Sequence, residues 1–189
     1  MLQNLSIEKI KIFENEFKQF MGIKDFPAYQ LTTKEVSLAI ADSCGFDSAA
    51  STFYSPKTNI HTLQISTNLI LSKYLVFHEF THILDADMYA NGDSTKYAGL
   101  SGYTEYHASQ IELMQLLGTK TATDKISFEM NTIISTFSGD KSVAQYIREK
   151  QEHAIQLFSR ADFPADINTL KSAFGVLYNY WGLRSICEM

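Results

Sequence analysis

From Asn68 to Ala90 the chain contains neither glycine nor proline, the first breaker being Gly92, and its residues are apolar nearly all the way round a helix. A helix without a polar face belongs in the interior, so this segment fixes where the core must lie. Set into it are His78, Glu79 and His82. Burying such groups is costly unless they pair or bind a metal. Ser66 and Thr67 are the N-cap candidates for this helix, and Asn91-Gly92 supplies a left-handed stop.

The three polar residues form the pattern His-Glu-Phe-Thr-His over positions 78–82. Each helical residue advances about 100°, so histidines four apart fall within about 40° of one another, one turn apart, where both imidazoles reach a single metal ion. Glu79 sits one step round from His78, close enough to touch a water on that metal without ligating, which is where a general base is needed. The pattern points to zinc-dependent hydrolysis. A catalytic zinc also needs a third protein ligand and one open position. The continuation with Gly three and His six residues past the second histidine is excluded, because Asp85 and Met88 stand there.

Downstream, Tyr103 to Leu117 reads as a helix closed by Gly118, with Glu105, Ala108 and Glu112 on one face. Upstream, Ser51 to Ser66 reads as two short strands around a turn containing Pro56, and Thr62 to Ile65 alternates polar with apolar residues. A strand, an H-E-x-x-H helix and a second helix opening E-x-x-A resembles the ImmA/IrrE family of bacterial and phage zinc metallopeptidases. The matching residues are His78, Glu79, His82, Glu105 and Ala108, within a stretch from about Tyr54 to Leu117. The resemblance implies a zincin-like fold, Zn2+ held by His78, His82 and Glu105, and a regulated protease that cleaves a repressor of a mobile element or stress regulon. The chain departs from the family at Ser109, where an Asn is usual, at Glu112, where a small residue is usual, and at the Met114 to Gly118 ending.

The third ligand has competitors beside Glu105. Glu112 shares its face, His107 lies on another side of the same helix, and Cys44 could complete a Cys-His-His set, although the residues around it do not resemble the peptide deformylase motif. Asp85 is on the face of His78 and His82, but seven residues rise about 10 Å. Its expected role is to orient an imidazole, the alternative being a carboxylate near the helix end that meets lysine or solvent. His61 and Tyr54 on the strands, and Tyr103 and His107 beside Glu105, are candidate oxyanion stabilisers, with a surface position the plainer reading for His61. An exposed strand edge beside the helix would accept an extended peptide and favour a protein or peptide substrate. The alternative from another class is a zincin-like domain that binds a partner protein without cleaving it.

With 189 residues, 45 % of them hydrophobic, and no Pro-rich or Ser-rich linker, one domain over 1–189 is expected. The expected class is α+β and predominantly helical: N-terminal helices over 1–45, a small antiparallel sheet with the H-E-x-x-H and third-ligand helices over 46–118, and a C-terminal helical layer over 119–189. Ile10, Phe13, Phe17 and Phe20 form one helical stripe, and Thr32-Thr33-Lys34-Glu35 reads as a capping box before Val36, Leu38, Ala39 and Ile40. After Gly118 three helices are expected. Ile126 to Phe137 marks the first, Val143 to Phe158 the second, and Ile167 to Trp181 the third, capped by Gly182. A net charge of -5 argues against direct nucleic-acid binding, which needs a basic footprint. No signal-like leader or bilayer-length apolar run stands out, so a soluble, cytoplasmic protein is expected. Cys44 and Cys187, far apart, fit a reducing compartment.

Overall fold

In the computed structural model, which describes residues 2–36 and 49–188, the stripe of Ile10, Phe13, Phe17 and Phe20 is buried along helix α1 (Leu2–Met21). It packs on the helix that carries the histidines, α2 (Lys73–Asp85). Phe17 meets Phe77 and Phe80 at ring distances of 5.2 and 5.4 Å, and Phe26 meets Phe80 at 5.1 Å. Each such ring contributes about 1.5–3 kcal/mol by leaving water, so this aromatic layer anchors α2 firmly. Tyr74, Val76, Phe77, Phe80, Ile83 and Leu84 take the buried side of α2. His78, Glu79 and His82 keep the half-buried side.

The helix begins later than the apolar run. Ser66 ends a strand, and its hydroxyl accepts from the backbone of Asn68 and Leu69, so it caps a local turn, and Ser72 takes the N-cap position of α2. At the other end one π-helical turn (Ala86–Ala90) leads to Asn91 in the left-handed region, φ 42°, where the stop was expected.

Three strands form one sheet: β1 (Tyr29–Lys34), β2 (Ala50–Ser55) and β3 (Ile60–Ser66), in the order β1-β3-β2. β2 and β3 pair antiparallel with Thr52 opposite Leu63, but β1 runs parallel to β3 with Tyr29 opposite His61. The sheet is therefore mixed, not antiparallel. Thr32 to Lys34 belong to β1; Tyr29 and Leu31 alternate inward against the core, and the β-branched threonines suit the pleat. The expected helical positions Leu38, Ala39 and Ile40, and Cys44, lie outside the described residues.

Helix α3 (Ser94–Leu116) starts nine residues before the expected Tyr103, because Asp93 caps it by accepting from Thr95 and Lys96 N–H. Gly118, at φ 75°, ends it as expected. The segment from Ile126 to Phe137 is not a helix. It is a loop followed by a hairpin, β4 (Ile133–Thr136) with β5 (Gly139–Ser142). Ile133 is exposed and Ile134 buried, a period of two in a run of β-branched residues, and Gly139 adopts φ 109° in the turn. Helices α4 (Val143–Phe158) and α5 (Ile167–Ile186) follow. Gly182 does not cap α5, which runs on to Ile186. It lies where α5 crosses α3, and a Cβ there would collide with the Tyr106 carbonyl. One buried cluster extends from Ile10 through Phe80 and Ile111 to Ile186. The class is α+β, five helices with a three-stranded and a two-stranded sheet among the described residues. None of these helices is long and apolar enough to cross a membrane.

Candidate metal centre

α2 and α3 cross where Ala108, fully buried, offers only a methyl group. On one side of that crossing the two histidines of α2 meet carboxylates of α3. His78 Nε2 lies 3.6 Å from Glu105 Oε2, and His82 Nε2 lies 3.8 Å from the same oxygen. One donor atom from each of the three residues falls within 4.8 Å of the others, a group able to hold a metal ion. In a tetrahedral sphere with bonds of about 2.0–2.1 Å, donor atoms sit about 3.3–3.4 Å apart, so the two nitrogen–oxygen separations are within a few tenths of an ångström of that spacing. The donor set, two imidazoles and a carboxylate, suits zinc.

The far nitrogen of each ring is already held. His78 Nδ1 is 2.7 Å from Glu112 Oε2, and His82 Nδ1 is 2.8 Å from Thr104 Oγ1. The Glu112 carboxylate can only accept, so it keeps a proton on His78 Nδ1, and both partners hold the rings with Nε2 turned to the common centre. Asn179 of α5 lies beside Glu105 and favours its charged form, and it also accepts from Ser109 Oγ at 2.7 Å. Gly175 of α5 passes beside the same carboxylate. Thus Ser109 is tied to the amide that lies beside Glu105.

Glu79 points to the sheet, where its Oε2 accepts from Thr52 Oγ1 on β2 at 2.8 Å. Burial pushes its carboxyl up, against the opposing pull of His82, His78 and the Thr52 hydroxyl. Burial also opposes charge on Glu105 and Glu112. His82 and His78 beside the first, and Lys150 and His78 beside the second, outweigh it and hold both carboxyls down at about 2. Burial works likewise against a charged His78, yet the carboxylates of Glu105 and Glu112 beside it lift that ring to about 10. Three carboxylates thus crowd around two imidazoles, an excess of negative charge that a divalent cation would neutralise.

The remaining candidates fall elsewhere. Asp85, 1 % exposed, was expected to orient one of the paired imidazoles. It instead accepts from His107 Nδ1 at 2.9 Å, because the face it shares with the histidines turns under α3 one helical turn further on. His107, in that pair, lies outside the cluster; its ring meets Tyr103, which is half exposed and stands edge-on to Tyr89. Glu112 also lies outside the ligand group, with its carboxylate behind the His78 ring. His61 is buried, 3 % exposed, not at the surface; it stacks on Tyr54 at 4.5 Å and has Asp87 3.9 Å from its Nε2. The Tyr54 hydroxyl donates to Asn59 Oδ1 and accepts from Gly92 N–H, so it is engaged in fixing the turn after α2. Tyr97 of α3, packed edge-on against Tyr54 at 4.9 Å, lies within the electrostatic reach of Glu105.

Four supporting residues escaped the sequence reading: Thr52, Thr104, Asn179 and Tyr146. Thr104 directly precedes Glu105 and shares the face of Ala108, a signal that could have found it. The others come from distant segments. No family model matches the chain, and no curated protein or solved structure does either.

Proposed function

We propose that this chain is a zinc-dependent endopeptidase of the zincin-like, ImmA/IrrE type that cleaves a protein substrate in the cytoplasm. The observation that carries the reading is the convergence of His78 Nε2, His82 Nε2 and a Glu105 oxygen, each ring locked from behind by Glu112 or Thr104. Zinc, when bound, supplies an acidified water and polarises a carbonyl. Glu79 takes the proton of the attacking water and delivers it to the leaving amine, and Thr52 of β2 holds one of its carboxylate oxygens at 2.8 Å, leaving the other free for the water. Half-buried side chains, 13 % exposed at His78, 16 % at His82 and 31 % at Glu105, leave a side through which a substrate carbonyl can approach. The strand that carries Thr52, β2, pairs on one side with β3, and no described strand pairs with its other edge. An extended peptide adding there passes beside Glu79. The resemblance extends this to a repressor of a mobile element or stress regulon as substrate.

The test is incubation of purified, zinc-loaded protein with a candidate repressor, followed by gel and mass analysis. Cleavage that stops on chelation, and that falls about 10²–10⁴-fold in Glu79→Gln while zinc content is unchanged, is the expected result. Cleavage by Glu79→Gln at the wild-type rate would overturn the assignment of the base. A repressor that binds but stays intact would favour the non-cleaving partner-binding domain.

A further inference from the structure

Glu112 is a carboxylate with 2 % of its surface exposed, buried between α2, α3 and α4. Such a group is costly to bury unless its oxygens find donors. Oε2 faces His78 Nδ1 at 2.7 Å. The other oxygen accepts from the hydroxyl of Tyr146, a buried residue of α4. The ring of Tyr146 in turn carries the ammonium groups of Lys150 and Lys141 at 5.7 and 6.0 Å, and Lys150 is the foremost positive charge acting on Glu112. A chain of contacts therefore runs from α4 through one tyrosine and one carboxylate to a ring of the candidate metal centre.

We propose that Tyr146 is a positioning residue for that centre: by donating to one Glu112 oxygen it fixes the carboxylate, so that the other oxygen holds His78 Nδ1–H and keeps Nε2 aimed at the cation. This rests on the metal reading of His78, His82 and Glu105 and reaches beyond it, making α4 a working part of the site. A carboxylate anchored at one oxygen alone can rotate about its last bond, and the imidazole it supports then loses its fixed orientation. Two anchors on two helices remove that freedom. The tyrosine also stands in a stretch where helical periodicity predicts only core packing, and its ring does serve the core. The hydroxyl is what sets it apart from the phenylalanines around α2, since an apolar ring would leave one oxygen of a buried carboxylate without its donor.

Tyr146→Phe removes one oxygen and keeps the ring. Zinc affinity, measured by competition with a chromophoric chelator, is expected to fall about 10–100-fold, and the visible absorption bands of the Co2+-loaded protein to shift as the His78 ring moves. In a Glu112→Gln background the same substitution should change zinc affinity by less than about twofold, because the influence passes through the carboxylate. Lys150→Met, at a half-buried position away from the packed core, gives a smaller drop in the same direction and serves if Tyr146→Phe does not fold. Wild-type zinc affinity and an unshifted Co2+ spectrum in the folded variants would overturn the proposal, as would an undiminished effect of Tyr146→Phe on the Glu112→Gln background. A wild-type chain that takes up neither Zn2+ nor Co2+ overturns the metal reading itself along with this inference, a failure recognisable before any variant is measured.

Discussion

Two histidine–carboxylate pairs bridge α2 and α3. In the first, His78 Nδ1 meets Glu112 at 2.7 Å; in the second, His107 Nδ1 meets Asp85 at 2.9 Å. Both carboxylates are almost fully buried, and both rings are partly exposed. Locally the two are the same chemistry. What separates them lies on the far side of the ring. His78 Nε2 faces a second imidazole and a second carboxylate, whereas the His107 ring lies against Tyr103. A buried carboxylate that grips an imidazole is therefore a support, and it becomes part of a site only where the supported nitrogen converges with others.

The largest effect that could break this comparison is expected from the rings themselves. His78→Ala should abolish tight zinc binding, because two ligands remain where three are needed. His107→Ala should leave zinc affinity within about twofold of wild type, since His107 pairs with Asp85 and supports neither ligand ring. Equilibrium dialysis with metal analysis separates the two. Comparable losses in both would mean that the second pair feeds the cation as well, and the contrast between the two would fail.

A smaller effect is expected at the support of the other ligand ring. Thr104→Val is nearly isosteric and removes the oxygen that meets His82 Nδ1 at 2.8 Å. A neutral hydroxyl orients the ring but raises its basicity less than a carboxylate does. Zinc affinity should fall by about tenfold, at the low end of the range for such partners, and by less than in Glu112→Gln. A larger loss in Thr104→Val than in Glu112→Gln would reverse the order of the two supports.

Much of the ligand group and little of either pair was legible in the sequence. The spacing of His78 and His82 alone places both rings on one face; Glu105 needed the family resemblance, since Glu112 shares its face and spacing could not choose between them. The choice lies in the tilt between α2 and α3, which Ala108 permits and Gly182, at the α3–α5 crossing, reinforces from behind. Asp85 shows the opposite limit. Its position on the histidine face is real, but face-sharing says nothing about which side of a crossing helix it meets. The hairpin was misread because Ile126, Met130, Ile133, Ile134 and Phe137 satisfy helical spacing, while the β-branched run and the turn glycine decided the backbone. The parallel entry of β1 rests on pairing between residues far apart in sequence, which periodicity does not encode.

The smallest expected effect on the metal sharpens the comparison most. Asp85→Asn keeps an oxygen that can accept from His107 Nδ1 but introduces an amide N–H₂ at a position 1 % exposed. An unsatisfied buried donor costs about 1–3 kcal/mol, so urea unfolding of the metal-free protein should show a loss of that size. Zinc affinity should stay within about twofold of wild type, because Asp85 is hydrogen-bonded to His107, whereas the His78 and His82 rings are held by Glu112 and Thr104. Stability and metal affinity then move independently at Asp85. At Glu112, where one carboxylate serves both the core and a ligand ring, they must move together, and that contrast is what separates a structural pair from a functional one when their local geometry is the same.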